Sequence, residues 1–188
     1  MKAQLARMVG VASSLALVAA LAATNSEAVR ADTVSDGEQA CWVAIDTGES
    51  LCVDDASTLA DAVWVQYGLR LIIPDNSSSG TAAETRGANP FAVISPDTTV
   101  VISVIYKDIN YGGSSYFMSS SIGCNGGYSW LGAIGWNDSV SSFKSFAGCE
   151  TILYADINYA GSSTGWAVNI ANLGSVGMND KASSWLVS

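Results

Sequence analysis

Residues 106–115 read YKDINYGGSS, and residues 154–163 read YADINYAGSS. Eight of the ten positions agree, so the second half of the chain contains a copy of itself. A second pair follows in the same order, GWNDSVSSF at 135–143 and GMNDKASSW at 177–185. The first pair is offset by 48 residues and the second by 42, so the middle of the second copy is shorter. Around these motifs, β-branched and aromatic runs recur at 100–106, 115–118, 142–146, 151–154, 164–168 and 184–187. Turn-forming glycines separate them, and no amphipathic helix of convincing length interrupts them. Short strands at regular spacing predict a β-sandwich, with room for about four strands in each copy.

The repeated polar stretches carry the candidate chemistry. Asn137-Asp138-x-x-Ser141-Ser142 and Asn179-Asp180-x-x-Ser183-Ser184 are rich in Asn, Asp and Ser. Such side chains form turns by bonding nearby backbone. They are also oxygen donors of the kind a hard cation takes. Calcium needs about six to eight oxygens. One six-residue loop cannot supply them, but two loops brought together could.

Here the residues meet a known family. Residues 99–188 resemble a microbial calcium-binding βγ-crystallin domain. The family's Greek-key signature appears as Tyr106, Tyr111 and Gly113, and again as Tyr154, Tyr159 and Gly161. Its calcium signature appears intact as NDSVSS and NDKASS. The resemblance extends to secreted actinobacterial members, some grouped with metalloprotease inhibitors. It implies an all-β fold, with two Greek-key motifs forming one sandwich. It also implies two Ca2+ sites between the motif loops, each taking ligands from both. Ser141 or Ser183 would give a hydroxyl. The pairs Asn137-Asp138 and Asn179-Asp180, with the third positions Ser139 and Lys181, would give side-chain and carbonyl oxygens. The carbonyl of Lys107 or Ala155 would complete each shell with water. Ser142 and Ser184 are expected to be structural, and the paired tyrosines to brace a folded hairpin. The two sites are unequal if the third position acts through its side chain, because Lys181 would then bring a positive charge. Affinity is expected to be modest, with Kd on the order of 10⁻⁴–10⁻³ M.

Before residue 99 the text differs. Residues 41–53, CWVAIDTGESLCV, alternate around Thr47-Gly48 and predict a β-hairpin. Residues 58–67 place Leu59, Ala62, Val63 and Gln66 at helical spacing, with Ser57 as a cap and Gly68 as a stop. Residues 32–74 therefore read as a small α+β segment, and 75–98 as a linker. Residues 1–31 read as a signal peptide. Lys2 and Arg7 precede an apolar run at 9–23, and small-residue cleavage sites end at Ala28 and Ala31. An exported chain should oxidise its four cysteines. Of the three possible pairings, one local bridge per half gives Cys41–Cys52 and Cys124–Cys149. A thiolate metal site would need close C-x-x-C spacing, which is missing.

Composition narrows the function classes. The chain has no histidine, which removes Ser-His-Asp and Cys-His relays and His-ligated zinc. Asp46-Thr47-Gly48 spells the aspartic-protease tripeptide, but that chemistry needs two carboxylates sharing a proton. A single copy at a hairpin tip reads as a turn. No phosphate loop or paired general acid/base is found, so no enzyme is expected. The formal net charge is −9, and residues 32–98 hold 11 acids and 2 bases. Residues 99–188 hold 5 acids and 3 bases. Neither part suits nucleic acid. The expectation is a secreted, monomeric, calcium-binding protein without catalytic activity or membrane attachment after cleavage. A metalloprotease inhibitor using a loop at 119–130 against an extracellular protease is the alternative. A toxin or cell-wall-binding protein is the third reading, by fold analogy.

Overall fold

In the computed structural model, residues 37–74 and 95–188 are described. The expected signal peptide at 1–31, residues 32–36 and most of the expected linker, 75–94, lie outside them. The strand that opens the first copy, VVISVIY with its flanking threonines, is apolar without alternation. Such a run suits a strand covered on both faces. All but the last of its nine residues are buried.

Twelve elements position the rest. The first four are β1 (Ala40–Ala44), β2 (Ser50–Val53), α1 (Leu59–Tyr67) and β3 (Arg70–Ile72). The first copy then supplies β4 (Thr98–Tyr106), β5 (Ser115–Ser120), β6 (Gly126–Tyr128) and β7 (Ser142–Ser145). The second supplies β8 (Thr151–Asp156), β9 (Ala160–Ser163), β10 (Asn169–Ile170) and β11 (Ser184–Val187). Each copy thus has four strands, as its length predicts.

The copies exchange their third strands. One sheet runs β10-β7-β4-β5-β1-β2, with β3 paired on β4, and the other runs β6-β11-β8-β9. β6 joins the second copy's sheet and β10 joins the first copy's. Ile102, Ile105, Met118, Leu131, Phe143, Leu153, Leu173 and Trp185 fill one shared core. Neither copy can bury its apolar face without the other. The fold is a paired Greek-key sandwich preceded by a small α+β segment.

That segment joins the first sheet directly. β1 runs parallel to β5, from Ala40 opposite Ser115 to Ala44 opposite Ser119. β3 runs parallel to the start of β4. Side chains of β1 alternate between two cores. Cys41 and Val43 enter the shared one. Ala40, Trp42 and Ala44 enter a second one with Leu59, Val63, Val101, Val104, Phe117 and Phe146. The expected hairpin and helix are both present. The cap differs, because Asp55 and not Ser57 supplies the side-chain acceptor. Its Oδ1 takes the Ser57 N–H at 2.8 Å and holds a 3-10 turn ahead of α1. Hydrogen bonding from the Ser57 hydroxyl, and then from its backbone N–H, keeps the Asp55 carboxyl below the usual carboxylate range. Gly68 ends α1 in the left-handed conformation at φ 67°. Both predicted disulfides are formed, Cys41–Cys52 between paired strands and Cys124–Cys149 within the sandwich.

Candidate metal centre

The repeated hairpin is built alike in both copies. After β4 the chain turns through Asn110 and Tyr111 at φ 57° and 65°, and after β8 through Asn158 and Tyr159 at φ 58° and 60°. This left-handed backbone folds the hairpin back over its base, so the tyrosine rings meet. Tyr106 and Tyr111 pack edge-on at 5.8 Å, and Tyr154 and Tyr159 at 6.1 Å. Gly113 and Gly161 follow at φ 70° and 78°. A Cβ on Gly113 would lie 2.7 Å from Asp108 Oδ2, and one on Gly161 would clash with Asp156 in the same way. Glycine is needed there on both counts. Burial, with Tyr111 adjacent, pushes the Tyr106 hydroxyl up to about 12, so it stays neutral.

Ser142 and Ser184 lock these hairpins. Ser142 Oγ donates to Asp108 O at 2.6 Å and accepts the Tyr111 N–H at 3.0 Å. Ser184 Oγ donates to Asp156 O at 2.7 Å and accepts the Tyr159 N–H at 3.0 Å. Both hydroxyls are spent on backbone.

The two polar motifs interlock. Asp138 N–H donates to Ala182 O, and Asp180 N–H donates to Val140 O, both at 3.0 Å. Each motif thus binds the other's backbone. Asp138 and Asp180 take φ 53° and 52°, which Asp tolerates better than most residues. Asn137 Nδ2 donates to Asp138 Oδ2 at 2.7 Å, and Asn179 Nδ2 to Asp180 Oδ2 at 2.5 Å. Ser141 Oγ crosses between motifs and donates to Asp180 Oδ1 at 3.3 Å. The Ser141 N–H bonds Tyr106 O at 2.9 Å, and the Ser183 N–H bonds Tyr154 O at 2.8 Å. Lys107 and Ala155 are therefore each one residue from a clamped carbonyl. The structure gathers one group around Lys107, Ser141 and Asp180. In the other copy Ser183 is bonded to the carbonyl before Ala155, and Asp138 N–H to the carbonyl of the neighbouring Ala182.

Third-position side chains turn back into their own loops. Ser139 Oγ donates to Trp136 O at 2.9 Å, and Lys181 Nζ to Gly177 O at 2.8 Å. Lys107 Nζ sits 5.5 Å from the Trp136 ring centroid, a cation–π contact. The donor set is hydroxyl, carboxylate and carbonyl oxygen, which suits a hard cation and not a thiolate- or imidazole-seeking one. No group of three or more His, Cys, Asp or Glu stands together among the described residues. Any cation held here would rely on neutral oxygens for most of its shell.

Other singled-out residues have structural places. Asp46 accepts the Ser121 N–H at 3.2 Å and the Ser121 hydroxyl, so the protease-like tripeptide is a tied turn. Trp136 and Trp185 are core residues, whereas Trp130 and Trp166 are about half exposed. Residues 164–168, expected as a strand, cross between sheets and make a single bridge, Thr151 to Ala167. Gly165 at φ 72° interrupts the run. Sequence reasoning missed Asn110 and Asn158 as part of the hairpin's geometry. Their signal was present, since Asn is a residue that accepts left-handed backbone.

No protein-family model and no curated protein matches the chain. Solved structures do. A βγ-crystallin domain from Flavobacterium johnsoniae is 33% identical, with 46% of this chain and 93% of that one aligned at TM-score 0.37. A βγ-crystallin from Ciona intestinalis is 25% identical over 46% and 98% of the two chains, at TM-score 0.38. A clostrillin double mutant in complex with nickel is 25% identical over 46% and 95%, at TM-score 0.37.

Proposed function

We propose that residues 99–188 form a βγ-crystallin domain and that the chain is a secreted, non-enzymatic calcium-binding protein. Calcium would supply charge that draws the two motif loops together and so ties the Greek keys to each other. One observation carries this reading. Ser141 of the first motif faces Asp180 of the second at 3.3 Å, inside a pair of reciprocal backbone bonds. Oxygen donors from both motifs already converge. The turned-back Lys181 side chain supports a carbonyl role at the third position, which removes the objection to a second site. Two disulfides suit an oxidising compartment, and no helix among the described residues is long and apolar enough to cross a membrane.

Melting the calcium-free protein with and without added calcium tests the reading. At 100 times Kd, one site contributes about 2.7 kcal/mol, which is roughly 5–10 °C in Tm for a chain of this size. Ser141→Ala with Ser183→Ala should remove the shift. An unchanged Tm on adding calcium to the native protein contradicts it.

A second reading has its own observation. Ile122 is 75% exposed at the tip of a loop pinned on one side by Asp46 and on the other by Cys124–Cys149. A rigid, apolar, protruding residue is what a protease cleft takes. Inhibition of a thermolysin-type metalloprotease, lost in Ile122→Asp, supports an inhibitor. Full protease activity beside excess native protein removes it.

A further inference from the structure

The two hairpins that support the candidate sites agree at eight of ten positions, yet only the first has an escort. Gln39, just before β1, donates its N–H to Ser114 Oγ at 3.0 Å and accepts the Ser115 N–H at 2.8 Å. Ser114 O in turn accepts the Lys107 N–H at 3.0 Å. From there β1 follows β5 through five residue pairs, and Trp42 Nε1 donates to Ser119 Oγ at 2.8 Å. Tyr106 packs against the second core that this segment creates. Cys41–Cys52 fastens β1 to β2. No further strand runs along the second hairpin among the described residues. β9 ends its sheet, and Gly161, Ser162 and Ser163 are exposed where Ser115 is buried.

We propose that β1 is a built-in clip that holds the first hairpin in the shape the Lys107 carbonyl needs, so the two cation sites are unequal. The proposal rests on the calcium reading above. The Lys107–Ser141–Asp180 site is preorganised and binds first. The Ala155–Ser183–Asp138 site is ordered by the ion itself, and that ordering subtracts from its affinity. Gln39 is a positioning residue, and the Cys41–Cys52 bridge keeps it in place. Reducing that bridge weakens one site and leaves the other as it was. Lys181, which replaces Ser139 at the third position of the second motif, is not the cause.

Hydrogen–deuterium exchange on the calcium-free, oxidised protein reads the clip without any metal. Residues 106–115 should exchange at least about tenfold more slowly than 154–163, an outcome that backbone bonding to a strand produces. Cys41→Ser with Cys52→Ser should abolish the difference by speeding 106–115 alone. If that variant fails to fold, Ser114→Ala removes only the acceptor for Gln39 and should do the same in part. Calorimetric titration with calcium should show two steps in the native protein, with the tighter one weakened about tenfold when the bridge is absent. Lys181→Ser should leave both steps apart. Equal exchange in the two hairpins, exchange unaffected by opening the bridge, or steps that merge in Lys181→Ser overturn the proposal. Two equal calcium steps with equal exchange remove the clip alone. Absence of any calcium heat beside asymmetric exchange removes the calcium reading, and the unequal sites with it.

Discussion

Tyr111 and Tyr159 sit in left-handed backbone, which an aromatic residue enters at a cost. The cost recurs in both copies at the same place, so the hairpin's shape is over-determined by what surrounds it. Ser142 and Ser184 hold it from below, and Asp108 and Asp156 fill the space beneath Gly113 and Gly161. Gly161→Ala should therefore both strain φ and push against Asp156. A loss of about 1–3 kcal/mol is expected, or roughly 2–4 °C of Tm per kcal/mol, measured by thermal unfolding. A Tm within error of the native value would contradict the account. These residues were legible in the sequence because the hairpin is local. Its aromatics and glycine recur at fixed spacing within one short stretch, and the locking serines, 31 and 25 residues further on, recur in their own repeated motif. Whether the Lys181 side chain enters the site was not legible, since that depends on an acceptor, Gly177 O, with no signature of its own.

Among the elements, β1 shows where sequence reading ran out. Its alternation predicts a strand and its turn predicts β2. Nothing local announces that β1 also pairs in parallel with β5, some 75 residues away. Trp42 sits at the centre of that contact, fully buried and bonded to Ser119. Trp42→Ala should cost about 3–5 kcal/mol by opening a cavity in the second core. Denaturant unfolding measures it, and a midpoint close to native would mean that the segment merely rests on the sandwich. The exchange of β6 and β10 between sheets was equally hidden. Both strands are short, and β10 has only two residues. By contrast, β4, β5, β8 and β11 were readable, because burial on one or both faces leaves a run of apolar or alternating residues.

For the whole molecule, tyrosines and not carboxylates shape the alkaline limit of stability. Burial raises Tyr106 to about 12 and pushes Tyr116 further still, the latter helped by its contact with Tyr128. In the unfolded chain both ionise near pH 10. Above that point the unfolded state sheds protons that the folded state keeps, so stability falls as pH rises. Unfolding free energy should be unaffected by these groups below about pH 10 and should drop between about pH 10 and 12. Denaturation across that window checks it, and Tyr106→Phe should flatten part of the slope. A flat profile through the window would contradict the burial of these rings.

The sandwich exists because each half-domain lends a strand to the other's sheet, and the interlocked motif loops lie where those halves meet. Calcium held between them is the central claim, and calorimetric titration of the calcium-free, disulfide-intact protein tests it most directly. Heat that saturates at two calcium ions per chain, and that disappears in Ser141→Ala with Ser183→Ala, is the predicted result. No heat of binding in the native protein, or heat that survives loss of both hydroxyls unchanged, would contradict it.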